Sequence, residues 1–344
     1  LTAVLVLALL IRVVFFSGAS GSDDVTYVSK ALDLLQGNWA PMQYVGGQRY
    51  GIHIPMAIFM FFFGTTEFAA NLWPLVASIA EIALMWGFAI RMYGSRVAWL
   101  CALIIATLPI HVNFAGRLLA DPPLTLFITA SFAFFIVGES NRNRAYYILA
   151  GIAVGLTFWV KPAVTPLLLP AFLIYVVYFR TVRKEWLWLV TSATIVAAGY
   201  WILLAILSGD PWFFVNTRAV ALNKSVFLAK NYDAWTYFHY LFLDVKHTFL
   251  LGPLAALGTL LMFRSDRGRP AQTDRSVTLW AVGLLMILSF TVISLSPFQL
   301  IPKQSNYMLI FAAPLSLIAA IAINEFPRTI RYSMIMIVIS GGII

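Results

Sequence analysis

The sequence predicts an all-α integral membrane protein of about eleven transmembrane helices, with an amphipathic helix lying in the membrane interface in the first outer loop. Three observations carry this. Of 344 residues, 61% are apolar and 11% charged, less than half of the roughly 25% charged fraction usual for a soluble domain. Apolar runs recur at lengths near the ~20 residues that a helix needs to cross a bilayer. Basic residues gather in alternate short connections, as the positive-inside pattern requires. A single transmembrane domain, 1–344, leaves little chain for an independent soluble one. The chain starts at Leu1 and ends at Ile344, each inside an apolar run, as expected of a piece trimmed at both ends.

The runs lie near 1–16, 67–90, 97–114, 122–138, 145–160, 162–179, 186–207, 248–263, 276–296, 306–323 and 332–344. The further run 52–63 is short, which fits a re-entrant or interfacial piece; counting it as a span inverts everything after it. Sidedness settles that choice. Arg91 and Arg96; Arg142 and Arg144; Arg180, Arg183 and Lys184; Arg264, Arg267, Arg269 and Arg275; and Arg328 and Arg331 make thirteen of the 23 basic residues. These five connections are read as cytoplasmic. The outer face then holds two long loops, 17–54 and 208–247, and short connections near Asp121, Lys161 and Lys303. The net charge of +9 is thus largely topology, and nucleic acid is not an expected partner. Cys101, the single cysteine, excludes an intrachain disulfide and a cysteine-based zinc site.

In the first outer loop, Ser22 followed by Asp23 and Asp24 opens a helical pattern. Val25, Val28, Leu32 and Leu35 share one face, Thr26, Ser29, Lys30 and Asp33 the other, and Gly37 stops it. Such a helix lies in the interface. Asp23 and Asp24 complement the positive end of its dipole, worth about 0.3–1 kcal/mol each; together they also make a candidate general base or cation site. Asp121 before Pro122 and Pro123 suits a helix start. Arg117, Lys161 and Lys303 are snorkelling interfacial cations or phosphate ligands, and His53 is a phosphate contact when protonated. Glu81, inside a span, is a functional candidate or a partner for Arg12. Gly151 and Gly155 provide close helix packing. The aromatic-rich loop 208–247, with Arg218, Lys224, Lys230 and Lys246, is the expected lid and source of acceptor selectivity.

The stretch Asp23-Asp24-Val25-Thr26-Tyr27, then Leu34-Leu35-Gln36-Gly37-Asn38-Trp39-Ala40-Pro41, then Gly47-Gln48-Arg49-Tyr50, resembles the first outer loop of the polyprenyl-phosphate-sugar-dependent glycosyltransferases of the glycosyltransferase C superfamily. That group contains the protein O-mannosyltransferases and the aminoarabinose transferases of lipid A. His53-Ile54-Pro55 stands where the group has Lys-Pro-Pro. Further resemblances follow in order: Arg91-Met92-Tyr93-Gly94; Gly116-Arg117-Leu118-Leu119-Ala120-Asp121-Pro122; Gly155-Leu156 leading to Lys161-Pro162; and Pro302-Lys303 with Tyr307 and Pro314, where Asn306 replaces an Arg. The likeness covers 15–175 well and 297–320 loosely; 185–290 matches only in hydropathy.

The resemblance implies a membrane hexosyl- or pentosyltransferase with its site on the outer side of the plasma (inner) membrane. It would transfer a sugar, with inversion, from a polyprenyl-phosphate-linked donor to a lipid, glycan or protein acceptor. It assigns Asp23, Asp24 and Asp121 to catalysis, with Asp23 the base that takes the acceptor's proton opposite the leaving phosphate. Lys161, Arg117, Lys303 and His53 go to the donor phosphate, where cationic donors replace a general acid. Tyr27, Arg49, Tyr50 and Tyr307 go to substrate binding. Members of the wider superfamily differ in their use of a divalent cation, and the acids here are compatible with one. A second reading is a membrane transporter or lipid flippase whose acids and bases hold a coupling ion or headgroup; a third is an inactive assembly scaffold. The acid pair on an outer-loop helix favours the enzyme, because transporters place such groups near the bilayer midplane.

Overall fold

Most of each apolar run of the sequence folds as helix. In chain order the elements are α1 (Thr2–Val14), α2 (Asp23–Leu35), α3 (Tyr50–Phe63), α4 (Glu67–Tyr93), α5 (Ser95–Thr107), α6 (Pro109–Ala115), α7 (Asp121–Asn141), α8 (Arg144–Val160), α9 (Leu168–Phe179) and α10 (Trp186–Ser208). There follow α11 (Phe213–Leu228), α12 (Thr236–Phe242), α13 (Val245–Thr248), α14 (Leu251–Arg264), α15 (Ala271–Phe290), β1 (Val292–Leu295), β2 (Phe298–Leu300), α16 (Leu309–Glu325) and α17 (Arg328–Ile343). The computed structural model describes residues 1–228, 232–264, 271–296 and 298–343; Lys230, Arg267 and Arg269 lie outside them.

Among the described residues five helices are long and apolar enough to cross a membrane, those at 67–93, 121–141, 186–208, 272–290 and 305–325. A sixth is made if α5 and α6 count as one span; they meet at 58°. The chain is therefore a multi-pass membrane protein. The break has a local cause. Leu108 precedes Pro109, whose ring keeps the preceding residue extended, and Leu108 has φ −63° and ψ 120°. The remaining runs make shorter apolar helices, α1, α3, α8, α14 and the segment 165–179.

Two expectations need correction. The run 276–296 is not one helix: α15 ends at Phe290 and the chain then turns into an antiparallel hairpin that pairs Val292 with Leu300 and Leu295 with Phe298. The β-branched sequence Thr291-Val292-Ile293 suits a strand better than a helix. The segment 208–247 is not an open loop, since α11, α12 and part of α13 fall within it.

The centre of the bundle is α16, buried along its length from Leu309 to Ile323 and packed on α14, α5 and α15. At the other extreme α10 buries only Tyr200 and Leu204 and exposes Leu187, Val190, Ile195, Ile202 and Ile206. A helix this apolar and this exposed faces lipid. It holds to α8 by close approach: a Cβ on Gly151 would collide with Ser192 and the Leu189 carbonyl, and one on Gly155 with Val196. The expected small-residue packing face is thus in use. Gly51 likewise lets the start of α3 abut the backbone of Trp159 at the end of α8. That contact brings the segment 17–54 against the end of α8, where Lys161 stands.

Inside the bundle a polar network ties α1, α4, α6 and α7. Buried Arg12 donates from Nε to Ser78 (2.7 Å) and from Nη1 to the carbonyls of Ala8 and Ala106 (each 3.0 Å), and its Nη2 meets His111 Nδ1 at 2.9 Å. His111 Nε2 lies 3.0 Å from Glu81, which also accepts from Thr125 (3.1 Å) and Thr129 (2.7 Å). With Nδ1 facing an arginine N–H it must accept, so the imidazole is neutral and its Nε2–H points at Glu81.

Candidate active site

α2 begins at Asp23 behind Ser22, and its first turn separates the two acids. Asp24 is buried and folds back on its own loop, where its carboxylate accepts from the backbone N–H groups of Ser20, Gly21 (3.0 Å), Ser22 (2.5 Å) and Val25 (3.0 Å). Burial works against that charge, but the four N–H donors outweigh it and hold the carboxyl below the ordinary carboxylate range. Asp24 therefore shapes the turn, a use different from the catalytic one the resemblance implies.

Asp23 points outward to a different set of partners. Its Oδ2 accepts from Arg49 Nη1 (3.2 Å) and from the Tyr27 hydroxyl (3.3 Å), while its Oδ1 accepts from the Tyr44 hydroxyl (2.5 Å). Tyr27 and Arg49 also bond each other. The strap 36–49 that carries Tyr44 and Arg49 is fixed from below. Buried Lys30 donates to the carbonyls of Asn38 (3.1 Å) and Ala40 (2.6 Å), Gln48 to that of Met42 (2.9 Å), and Tyr50 to that of Trp39 (2.5 Å). Tyr50, expected at the substrate, is spent on that tether.

A second pair stands beside the first. Asp121, at the start of α7, meets Lys161 at 3.0 Å and accepts from the Asn306 side chain. The Lys161 ammonium lies 4.4 Å from the centre of the Tyr307 ring. Both Asp121 and Tyr307 act electrostatically on Arg49, so four segments distant in sequence converge here. Asp23, Tyr27, Arg49, Asp121, Lys161 and Tyr307, each a site candidate from the sequence, lie in one group.

Around Arg49 lie buried N–H groups without hydrogen-bond partners, Arg49 Nε and Arg218 Nε, and the buried His53 ring, which bonds the backbone of Gly46. Both Arg218 and His53 feel the charge of Arg49, and the His53 ring lies between those of Tyr27 and Tyr50. Arg218 is held over Phe214 and reaches Gln48 at 3.3 Å. Unpaired buried N–H groups are costly and uncommon; gathered here, they suit an anion.

The structure does not bring Arg117 or Lys303 into this group. Arg117 lies over Phe114, and its backbone bridges Gly18. Lys303 donates to the Leu288 carbonyl (2.5 Å) and faces Tyr237. Burial, partly offset by Asp233, pushes its ammonium down to about 8. Among the described residues no three His, Cys, Asp or Glu side chains are arranged to hold a metal ion.

Tyr44, the partner of Asp23, also lines a cavity of ≈540 Å³ with Gln43, Thr217, Lys224, Tyr232 and Gln304, among others, within the ~300–1,000 Å³ usual for small-molecule sites. Sequence reasoning missed Tyr44, Arg218 and Asn306 as members of the site. Tyr44 sits between motifs in an aperiodic strap, and Arg218 lies where the resemblance is limited to hydropathy. Asn306 stood out only as a replacement.

Residues 52–203 match the family model of dolichyl-phosphate-mannose-protein mannosyltransferase. The chain is 27% identical over 228 residues to undecaprenyl phosphate-alpha-4-amino-4-deoxy-L-arabinose arabinosyl transferase of Edwardsiella ictaluri, a stretch covering 63% of this chain and 38% of that protein. The chain thus spans well under two thirds of that relative's length. Among solved structures it is similar to ArnT from Cupriavidus metallidurans bound to undecaprenyl phosphate, with TM-score 0.76 and 17% identity over 98% of this chain and 62% of that one. It is similar also to the archaeal oligosaccharyltransferase AglB from Archaeoglobus fulgidus, with TM-score 0.65 and 13% identity over 99% and 55%. The chain is thus similar, over residues 52–203, to the dolichyl-phosphate-mannose-protein mannosyltransferase family, and it shares the fold of these solved membrane glycosyltransferases.

Proposed function

We propose that the protein is an inverting glycosyltransferase that moves a sugar from a polyprenyl-phosphate donor to a lipid, glycan or protein acceptor. The site faces the outer side of a bacterial inner membrane that the chain crosses about eleven times. The observation that carries this reading is the juxtaposition of a held carboxylate, Asp23, with a set of buried cationic N–H donors, both beside one cavity. Arg49 and Tyr27 fix Asp23 through Oδ2, leaving Oδ1 on the side of the cavity-lining Tyr44. In the reaction the acceptor oxygen or nitrogen bonds to the anomeric carbon and passes its proton to Asp23 as that bond forms. The bond from that carbon to the phosphate oxygen breaks, and the phosphate leaves with the electron pair. Arg49, Arg218 and Lys161 meet its growing charge. Asp121 holds Lys161 in place. α11, which carries Arg218 and lines the cavity with Thr217 and Lys224, contributes to acceptor choice.

The relatives support the donor class, one being an undecaprenyl-phosphate-linked sugar transferase by name and another a structure holding undecaprenyl phosphate. The test is transfer of radiolabelled sugar from undecaprenyl phosphate, in liposomes, to a membrane extract of lipids and proteins. Asp23→Asn is expected to abolish transfer while donor binding persists; transfer at the wild-type rate overturns the assignment of the base.

A further inference from the structure

The two oxygens of Asp23 are used differently. Oδ2 is held by Arg49 and Tyr27, which are themselves bonded to each other. Oδ1 has one partner among the described residues, the hydroxyl of Tyr44. Tyr44 is not part of the packed scaffold: it is 50% exposed, lines the cavity, and reaches Asp23 from the strap 36–49. Its ring lies so close over Gly46 that a Cβ there would fall on the ring edge. A donor O–H on the free oxygen of the base, at the cavity wall, is the arrangement that an acceptor's hydroxyl or amine must itself adopt before it gives up its proton.

We propose that the Tyr44 phenol is a placeholder for the acceptor nucleophile: it occupies Asp23 Oδ1 until an acceptor filling the neighbouring cavity displaces it. This rests on Asp23 being the base. Water is small and gains nothing from the cavity walls, so it displaces the phenol poorly; an acceptor draws on contacts with Gln43, Thr217, Lys224 and Gln304 to do so. Tyr44 thereby selects against hydrolysis. In hydrolysis the water oxygen would bond to the anomeric carbon, its proton would pass to Oδ1, and polyprenyl phosphate would leave with the electron pair, releasing free sugar.

The experiment uses the full chain in liposomes with radiolabelled sugar on undecaprenyl phosphate. It reads free sugar released without acceptor, and the amount of membrane extract that half-saturates transfer. Tyr44→Phe removes the hydrogen bond and keeps the ring. It is expected to raise acceptor-independent hydrolysis about tenfold, the scale of one hydrogen bond to a charged group, and to lower the half-saturating extract. Gly46→Ala, which keeps the phenol but pushes the ring off its seat, is expected to change both in the same direction. Hydrolysis by Tyr44→Phe no faster than wild type, or a raised acceptor requirement, overturns the proposal. Asp23→Asn, assayed alongside, separates the two layers. If it still transfers sugar, the base itself is misassigned; if it is inactive while Tyr44→Phe behaves as wild type, the placeholder alone fails.

Discussion

Glu81 and Asp121 are both acids buried in the helix bundle, and each meets a basic partner, yet they belong to clusters of opposite character. Glu81 is closed in: His111, Thr125 and Thr129 satisfy it, and His111 hands on to Arg12, whose own donors are spent on Ser78 and two carbonyls. Asp121 meets Lys161 and Asn306, in a group that includes N–H donors without acceptors and borders a cavity. The two touch at α7, since Thr125 lies one turn beyond Asp121. A satisfied network inside a membrane bundle fixes helices; an unsatisfied one at its mouth is ready for a ligand. An acid inside a span is a default functional candidate, and here the pairing decides which candidate is structural.

Breaking the closed cluster should show first as instability. Glu81→Ala leaves His111, Thr125 and Thr129 without their acceptor and the buried Arg12 without a compensating charge, and a loss of about 3–5 kcal/mol is expected, read as a lowered midpoint of thermal unfolding in detergent. In the open cluster, Lys161→Ala strands the buried Asp121 charge and also removes a phosphate donor. Adding Asp121→Asn should then recover most of the unfolding midpoint while affinity for undecaprenyl phosphate stays about tenfold or more below wild type. Recovery of both would make Lys161 merely structural. Asp24→Ala removes an acceptor for four backbone N–H groups, and a cost of about 0.5–2 kcal/mol, that of a lost helix cap, should appear as faster proteolysis within 17–54.

The smallest effect concerns Lys303. Its folded pKa of about 8 lies below the ordinary 10.5, so between these values the unfolded chain binds the proton more readily. Its contribution should make stability rise with pH across that window and be constant below about 8. Lys303→Met should flatten the rise in unfolding midpoint measured between pH 8 and 10.5.

Much of the helical order was legible because hydropathy and basic loops are properties of consecutive residues. So was the grouping of Asp23, Tyr27 and Arg49, which lie within one loop motif. The Asp121–Lys161 pair was not, because it joins the start of α7 to the end of α8, and each residue alone has an ordinary explanation as helix start or snorkelling lysine. Tyr44 carries no periodic signal, and only the geometry of the strap shows what it touches. The bend at Leu108 went unread inside the run 97–114, although Pro109 carries its signal, and the hairpin after Phe290 was hidden inside an apolar run whose β-branched end looks like more helix.

The division between the two clusters is tested most directly by turnover per folded molecule in Asp23→Asn and Glu81→Gln, assayed together with labelled donor in liposomes. Asp23→Asn should lose transfer with its unfolding midpoint near wild type, and Glu81→Gln should keep near-wild-type turnover per folded molecule with a lowered midpoint. Loss of turnover in Glu81→Gln at an unchanged midpoint, or wild-type transfer by Asp23→Asn, would contradict it.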